Sequence, residues 1–405
     1  MNAPEKDPKF GHTDRYGLSR GPVATEPMVS AEYFQQEKEK IFRNTWLNML
    51  RRGAEIPNPG DFFVRDIEML GISVIVVRGD DGRIRAFHNS CTHRGNKLVH
   101  SDGKAACDSA KGFGCGFHGW TFNNRGELAY VPDEEQFFDL DKKSLGLNEI
   151  TCELWRDVIF INLYPQEAPG LEASLGHLAT TLAPFPFDEM ICAGRYRVTG
   201  QANWKITMNA FQEGYHVVWV HGRSFPDAFT GADNPYCHIE HVDLDEQGNQ
   251  TLSVPGAPDH EPSPTEALVF KFGATFSQGV SARDTYAGTN PGKVKDWGFD
   301  LNIIFPFSRL NVGAGWYYSD AFWPVAHDKT VYELAYYFPR PRNAGEMICQ
   351  EYSKVLLRDS AREDLSTNEA THKSLAAGAI KQVMFSDQEV ACRHLYAKVD
   401  EKVTG

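Results

Sequence analysis

The sequence predicts an α+β protein, with one β-rich domain set between helical and mixed segments, and three observations carry that reading. From Ile56 onward, short apolar runs such as Gly71–Val77 and Ile84–Phe87 alternate with Gly-Asp turns (Gly79, Asp80, Asp81, Gly82), as antiparallel strands do. Further on, Phe299–Phe307, Leu310–Trp323 and Thr330–Phe338 are rich in aromatic and β-branched residues and read as consecutive strands of a second sheet. Amphipathic stretches near both ends of the chain repeat their apolar residues at helical spacing.

Residues 1–29 read as an irregular leader, because Pro4, Pro8, Gly11, Gly17, Gly21, Pro22 and Pro27 break any periodicity. Ser30 then suits a helix N-cap, with Tyr33, Phe34, Ile41, Phe42, Trp46 and Leu50 forming the apolar stripe behind it. Val158–Leu163 reads as the last strand of the β domain, and Tyr164-Pro165 with Pro169-Gly170 marks the boundary. A helix is predicted from about Trp204, a loop-rich region over 223–265, and two polar helices at 344–378 (with breaks) and 386–402. There is no internal repeat.

The chain has 405 residues and a formal net charge of −13, enough length for two or three domains and the wrong sign for a nucleic-acid or anionic-membrane surface. No apolar run approaches the ~20 residues of a membrane span. Met1–Pro22 lacks an apolar signal core, and eight cysteines are too few and too scattered for a disulfide scaffold. A cytoplasmic protein is expected.

Chemistry concentrates in two places. Cys91-Thr92-His93-Arg94-Gly95 is followed, with 21 residues between His93 and Cys115, by Cys115-Gly116-Phe117-His118-Gly119-Trp120. Two Cys and two His in paired form can hold a single tetrahedral zinc, or a two-iron, two-sulfur cluster with thiolates on one iron and imidazoles on the other. Zinc fingers pair like with like, whereas interleaved Cys/His pairs suit the split cluster. The second place is Asn203-Trp204-Lys205, then Asn209, Glu213, His216 and His221. On one helix, Asn209, Glu213 and His216 would share a face, while His221 lies about 140° away, so the helix must bulge or end for both His to reach one metal. A His pair plus one carboxylate, with positions left open, suits ferrous iron and oxygen activation.

Together these motifs resemble those of Rieske non-haem iron aromatic-ring-hydroxylating oxygenases, specifically the α subunit or terminal oxygenase component. The resemblance implies a Rieske β-sandwich [2Fe-2S] domain over 47–163, and a helix-grip-like (START-type) catalytic domain with an antiparallel sheet from 1–46 and 164–405. It implies that Cys91, His93, Cys115 and His118 bind the cluster, with an enlarged loop around Asp102–Lys111 and Cys107 as a free thiol. Asn96 and Phe117 stand where high-potential Rieske proteins carry a disulfide. His216 and His221 would bind a mononuclear Fe(II), with Asp364 as third ligand and Asp359 and Glu363 as rivals; Asp387 reads instead as part of a helix N-cap.

By the same resemblance Glu213 would bridge His216 to a cluster histidine of a neighbouring subunit in a homotrimer, and Asn209 would orient the iron site. The implied partners are O2, a ferredoxin or reductase as electron donor, and a small aromatic or aryl-alkyl substrate. Phe305, Phe307, Trp316 and Tyr318 are candidates to line its pocket. Ring dioxygenation and monooxygenation or dealkylation both stay open. Two other classes compete: a zinc-stabilised binding protein without redox chemistry, and a pure electron-transfer Rieske protein.

Overall fold

The computed structural model describes residues 11–100, 108–109, 111–224, 227, 229–273 and 286–405. Cys107 and most of the loop expected around Asp102–Lys111 lie outside them. Two compact units emerge: Phe42–Leu171, and the N-terminal residues up to Ile41 together with Glu172–Gly405.

The first unit is antiparallel β structure. Its strands are β1 (Leu47–Arg52), β2 (Asp61–Ile67), β3 (Ile72–Arg78), β4 (Ile84–His88), β5 (Asp108–Ser109), β6 (Gly112–Gly114), β7 (Thr121–Asn123), β8 (Leu128–Tyr130), β9 (Glu149–Trp155) and β10 (Val158–Asn162). They form a sheet ordered β1-β10-β9-β4-β3-β2-β5 and a smaller one ordered β6-β7-β8. Val74, Ile75, Val76 and Val77 are all buried, so β3 is covered on both faces, as its unbroken apolar run requires. Phe62, Ile75, Phe87, Phe113, Trp120 and Phe122 pack in one core that also holds Cys91 and Cys115.

The second unit is built on strands β11 (Met190–Gly200), β12 (His241–Leu244), β13 (Gln250–Pro255), β14 (Trp297–Ile304), β15 (Ser308–Gly313), β16 (Trp316–Ala326) and β17 (Lys329–Pro339). They make one antiparallel sheet in the order β11-β17-β16-β15-β14-β13-β12. Its helices include α1 (Ala31–Glu37), α2 (Trp204–Asn209), α3 (Val217–Val220), α4 (Ala344–Ala376) and α5 (Val390–Thr404), with α4 against β11. Side-chain caps start three of them: Ser30 accepts from Tyr33 N, Asn203 from Lys205 N and Asn343 from Glu346 N. No helix among the described residues is long and apolar enough to cross a membrane.

Several sequence expectations need correction. The leader is not wholly irregular, since His12–Arg15 and Glu26–Val29 are helical and Val23–Ala24 pairs with Gln382–Val383. Leu310–Trp323 is two strands, because Ala314 and Gly315 turn the chain between β15 and β16. The loop-rich stretch 223–265 holds β12 and β13, whose polar faces hid them. The helix 344–378 runs unbroken from Ala344 to Ala376.

Candidate metal centres

In the first unit, two loops repeat one hydrogen-bond pattern. Cys91 O accepts from Gly95 N and Cys91 N donates to Asn96 O; Cys115 O accepts from Gly119 N and Cys115 N donates to Trp120 O. Each loop closes through a glycine in the left-handed region, Gly95 at φ 77° and Gly119 at φ 74°. The repeat brings the predicted residues together. His93 and His118 rings lie 4.7 Å apart at 69°, and His93 stacks on Trp120 at 4.7 Å.

The electrostatics favour metal-binding forms. Burial opposes the Cys115 thiolate, but backbone N–H groups of Phe117 and His118, with Cys91 and Asn96, outweigh it and lower the pKa. Asn96 Nδ2 lies 3.7 Å from Cys115 Sγ, so the place of the missing disulfide is taken by a donor to sulfur. Cys91 is raised, by burial first and by its neighbour Cys115. His93 is lowered by burial, by His118 and by Arg94, which favours the neutral ring. Most telling, Nδ1 of both His93 and His118 is buried without a hydrogen-bond partner among the described residues. Buried ring nitrogens beside two inward thiols suit iron ligation.

In the second unit the helix that starts at Trp204 ends before the histidines, one of the two ways by which both can reach one metal. After α2 stops at Asn209, the chain turns, and α3 is a single turn with His216 before it and His221 after it. Glu213 and His216 are therefore neighbours in a turn, not members of one helical face. The two rings meet at 5.2 Å, and α4 supplies Asp364, which is 3% exposed. Ligand atoms of His216, His221 and Asp364 all lie within 4.8 Å of one another. Asp364 Oδ1 is 3.4 Å from His216 Nε2 and 3.1 Å from His221 Nε2, yet it accepts no well-formed hydrogen bond among the described residues. Two ring nitrogens and a carboxylate oxygen converging on one point suit a cation.

Each ring is held from behind by a carboxylate. His216 Nδ1 is 2.5 Å from Glu213 Oε1, and His216 N donates to Oε2 at 3.1 Å. His221 Nδ1 is 2.8 Å from Glu363 Oε2. Burial pushes the His216 pKa down, but Glu213 and Asp364 raise it to about 9; His221 is likewise raised, by Asp364 and Glu363 against burial and His216. The site attracts positive charge.

A cavity of about 80 Å³ opens over these residues, walled by Phe211, Phe229, Phe299, Tyr318, Leu301 and Leu357. Of the four aromatics expected to line it, Tyr318 does; Phe305, Phe307 and Trp316 are buried elsewhere. Asn209 Nδ2 donates to Tyr396 Oη at 3.3 Å, which braces the segment against α5. Asp359 is paired with Arg358 (2.7 Å), and Asp387 accepts from the backbone N–H of Gly11, His12 and Thr13. Sequence reasoning missed Arg309, which is buried in the cavity wall, ion-paired to Asp320, and donates to Phe211 O. Tyr332 Oη completes that network on Asp320 at 2.8 Å.

The fold and paired sites define a Rieske-type protein with a second metal centre. The description "Ring hydroxylating alpha subunit (catalytic domain)" matches residues 187–405, and "Rieske [2Fe-2S] domain" matches 47–151. The chain belongs to this family of ring-hydroxylating α subunits. Its two matched domains imply a Rieske [2Fe-2S] cluster and a mononuclear iron as cofactors.

Among curated relatives, the large oxygenase component of the naphthalene 1,2-dioxygenase system of Pseudomonas aeruginosa is 39% identical over 202 residues, 48% of this chain and 43% of the relative. The carnitine monooxygenase oxygenase subunit of Acinetobacter pittii is 31% identical over 190 residues, 46% of this chain and 49% of that one. The matched segment thus spans less than half the length of these relatives. Among solved structures, a quaternary ammonium Rieske monooxygenase superposes with a TM-score of 0.72 at 21% identity, covering 98% of this chain and 100% of the other. Naphthalene 1,2-dioxygenase from Rhodococcus sp. gives 0.72 at 18%, covering 94% of each. At such identities the likeness is one of fold.

Proposed function

We propose that this chain is the terminal oxygenase component of a multicomponent Rieske non-haem iron oxygenase. It would use O2 and electrons from a separate reductase or ferredoxin to oxidise an aromatic or aryl-alkyl substrate. One observation carries the reading: two imidazoles and one carboxylate, His216, His221 and Asp364, converge beneath a largely apolar cavity. Three protein ligands leave coordination positions open, as oxygen chemistry needs and a structural zinc site does not.

An iron held there supplies oxygen activation, and the cluster held by Cys91, His93, Cys115 and His118 supplies electrons. The protein's own contribution follows from its side chains. Phe211, Phe229 and Phe299 exclude water and offer flat apolar faces to a ring. Burial keeps the phenols of Tyr318 and Tyr332 protonated, and Tyr332 spends its proton on Asp320. Arg309 holds the turn at Phe211 in place, which fixes the segment running on to Glu213 and His216.

Glu213 keeps a proton on His216 Nδ1, so that Nε2 is free for the metal. In the homotrimer we propose, Glu213 also links His216 to His118 of the partner subunit. The quaternary ammonium relative is described as revealing inter-subunit electron transfer, which supports this arrangement. Labelled-oxygen product analysis over aromatic acids, aryl ethers and N-alkyl anilines tests the activity and separates dioxygenation from dealkylation. A colourless purified protein containing zinc and no acid-labile sulfide overturns it. For the relay, Glu213→Gln assayed with iron supplied to saturation is expected to keep cluster and iron bound while turnover collapses; retained turnover refutes it.

A further inference from the structure

His221 is bracketed at both ring nitrogens by consecutive residues of one helix. Asp364 Oδ1 lies 3.1 Å from Nε2, and Glu363 Oε2 lies 2.8 Å from Nδ1. Adjacent helical residues point about 100° apart, so α4 can deliver one carboxylate to the inner side of the ring and the next to its outer side. Glu363 is itself fixed: Ser224 Oγ donates to its Oε1 at 2.8 Å. This places Glu363 on the far side of the imidazole from the converging ligand atoms, so it is not a rival ligand.

We propose that Glu363, tethered by Ser224, is a positioning residue of the metal centre. It holds the Nδ1–H tautomer of His221, aims Nε2 at the metal and raises the basicity of that nitrogen. Carboxylates that accept from a ligating histidine act on metal affinity in this way. The duties of the two flanking carboxylates then divide. Glu213 sits behind His216 and serves both ring orientation and the proposed relay, whereas Glu363 sits behind His221 and serves metal retention. The role rests on the metal-centre reading of His216, His221 and Asp364.

The test uses the full chain with its cluster, depleted of mononuclear metal and titrated with Co(II) by equilibrium dialysis, with the Co(II) electron paramagnetic resonance spectrum as second readout. Glu363→Gln keeps the shape and removes the charge; it is expected to weaken Co(II) binding by about 10- to 100-fold and to shift the spectrum. Ser224→Ala is expected to weaken binding in the same direction by less. Cluster content and thermal midpoint of each variant control for folding. Glu363→Gln binding within twofold of the unchanged protein, with an unshifted spectrum, overturns the role even if its thermal midpoint falls. Should that variant not fold, Ser224→Ala decides, and unchanged affinity there overturns it. An unchanged protein that holds no Co(II) instead overturns the metal-centre reading, and the role of Glu363 falls with it.

Discussion

His394 is held neutral by its surroundings. It is 4% exposed; its Nε2 lies 3.1 Å from Asp245 O and its Nδ1 3.4 Å from Gln250 Nε2. An Nε2–H donating to the carbonyl and an Nδ1 lone pair facing an amide donor describe one neutral tautomer. Burial, with Lys398 nearby, lowers its pKa to about 4. The unfolded chain, with an ordinary histidine near 6.5, binds the proton first as pH falls. Stability contributed by His394 is therefore full above pH ~6.5 and is lost between there and about pH 4, by about 3 kcal/mol in total. Denaturant midpoints measured from pH 7 to 4 should fall less steeply for His394→Gln than for the unchanged chain.

Legibility at this scale follows from chemistry. Cys91, His93, Cys115, His118, His216 and His221 stand out because metal-ligating side chains are rare and their spacings short. Arg309 and Asp320 did not stand out, though they are register partners across β15 and β16. They lie eleven positions apart in sequence, and only the turn at Ala314 and Gly315 makes them neighbours. Glu363 was visible as an acidic residue, but its role depends on which way α4 is rotated.

At the scale of elements, Asn203-Trp204-Lys205 looks like part of a chemical motif and turns out to be an anchor. Asn203 caps α2, while Trp204 Nε1 (3.0 Å) and Lys205 Nζ both donate to Glu37 at the end of α1. Glu37 and Lys205 are fully buried. Burial raises the Glu37 pKa and lowers that of Lys205, with each partner opposing the shift in the other. Breaking such a pair leaves one charge buried and uncompensated, so Lys205→Met should cost about 3–5 kcal/mol in urea unfolding. Adding Glu37→Gln to Lys205→Met should restore much of that loss, and a double variant no more stable than the single one contradicts the pairing.

The short α2 was less legible than its motif. Helical spacing placed Asn209, Glu213 and His216 on one face, but Gly214 sits where an added Cβ would lie 2.4 Å from Cys237 O. That close approach pins the turn between α2 and α3. A glycine inside a helical pattern was the available signal for the break. Its benefit is geometric: histidines at either end of a one-turn helix can face one metal, which five residues of continuous helix forbid.

For the whole molecule, the proposed trimer makes a claim that no single-site change can test alone. If each iron takes electrons from the cluster of a neighbouring chain, a chain with intact iron and a dead cluster can still turn over beside a chain with the reverse defect. Cys91→Ser removes a proposed cluster ligand and Asp364→Ala a proposed iron ligand, and each variant assembled by itself should be inactive. Co-expressed in equal amounts, they mix at random in a closed ring with one donor-to-acceptor direction at every interface. Each interface then has a one-in-two chance of an intact donor and a one-in-two chance of an intact acceptor. Roughly a quarter of the turnover per chain of the unchanged protein should return. Electron transfer confined within each chain predicts no recovery at all, because no chain in the mixture carries both centres. The measured fraction decides between the two routes.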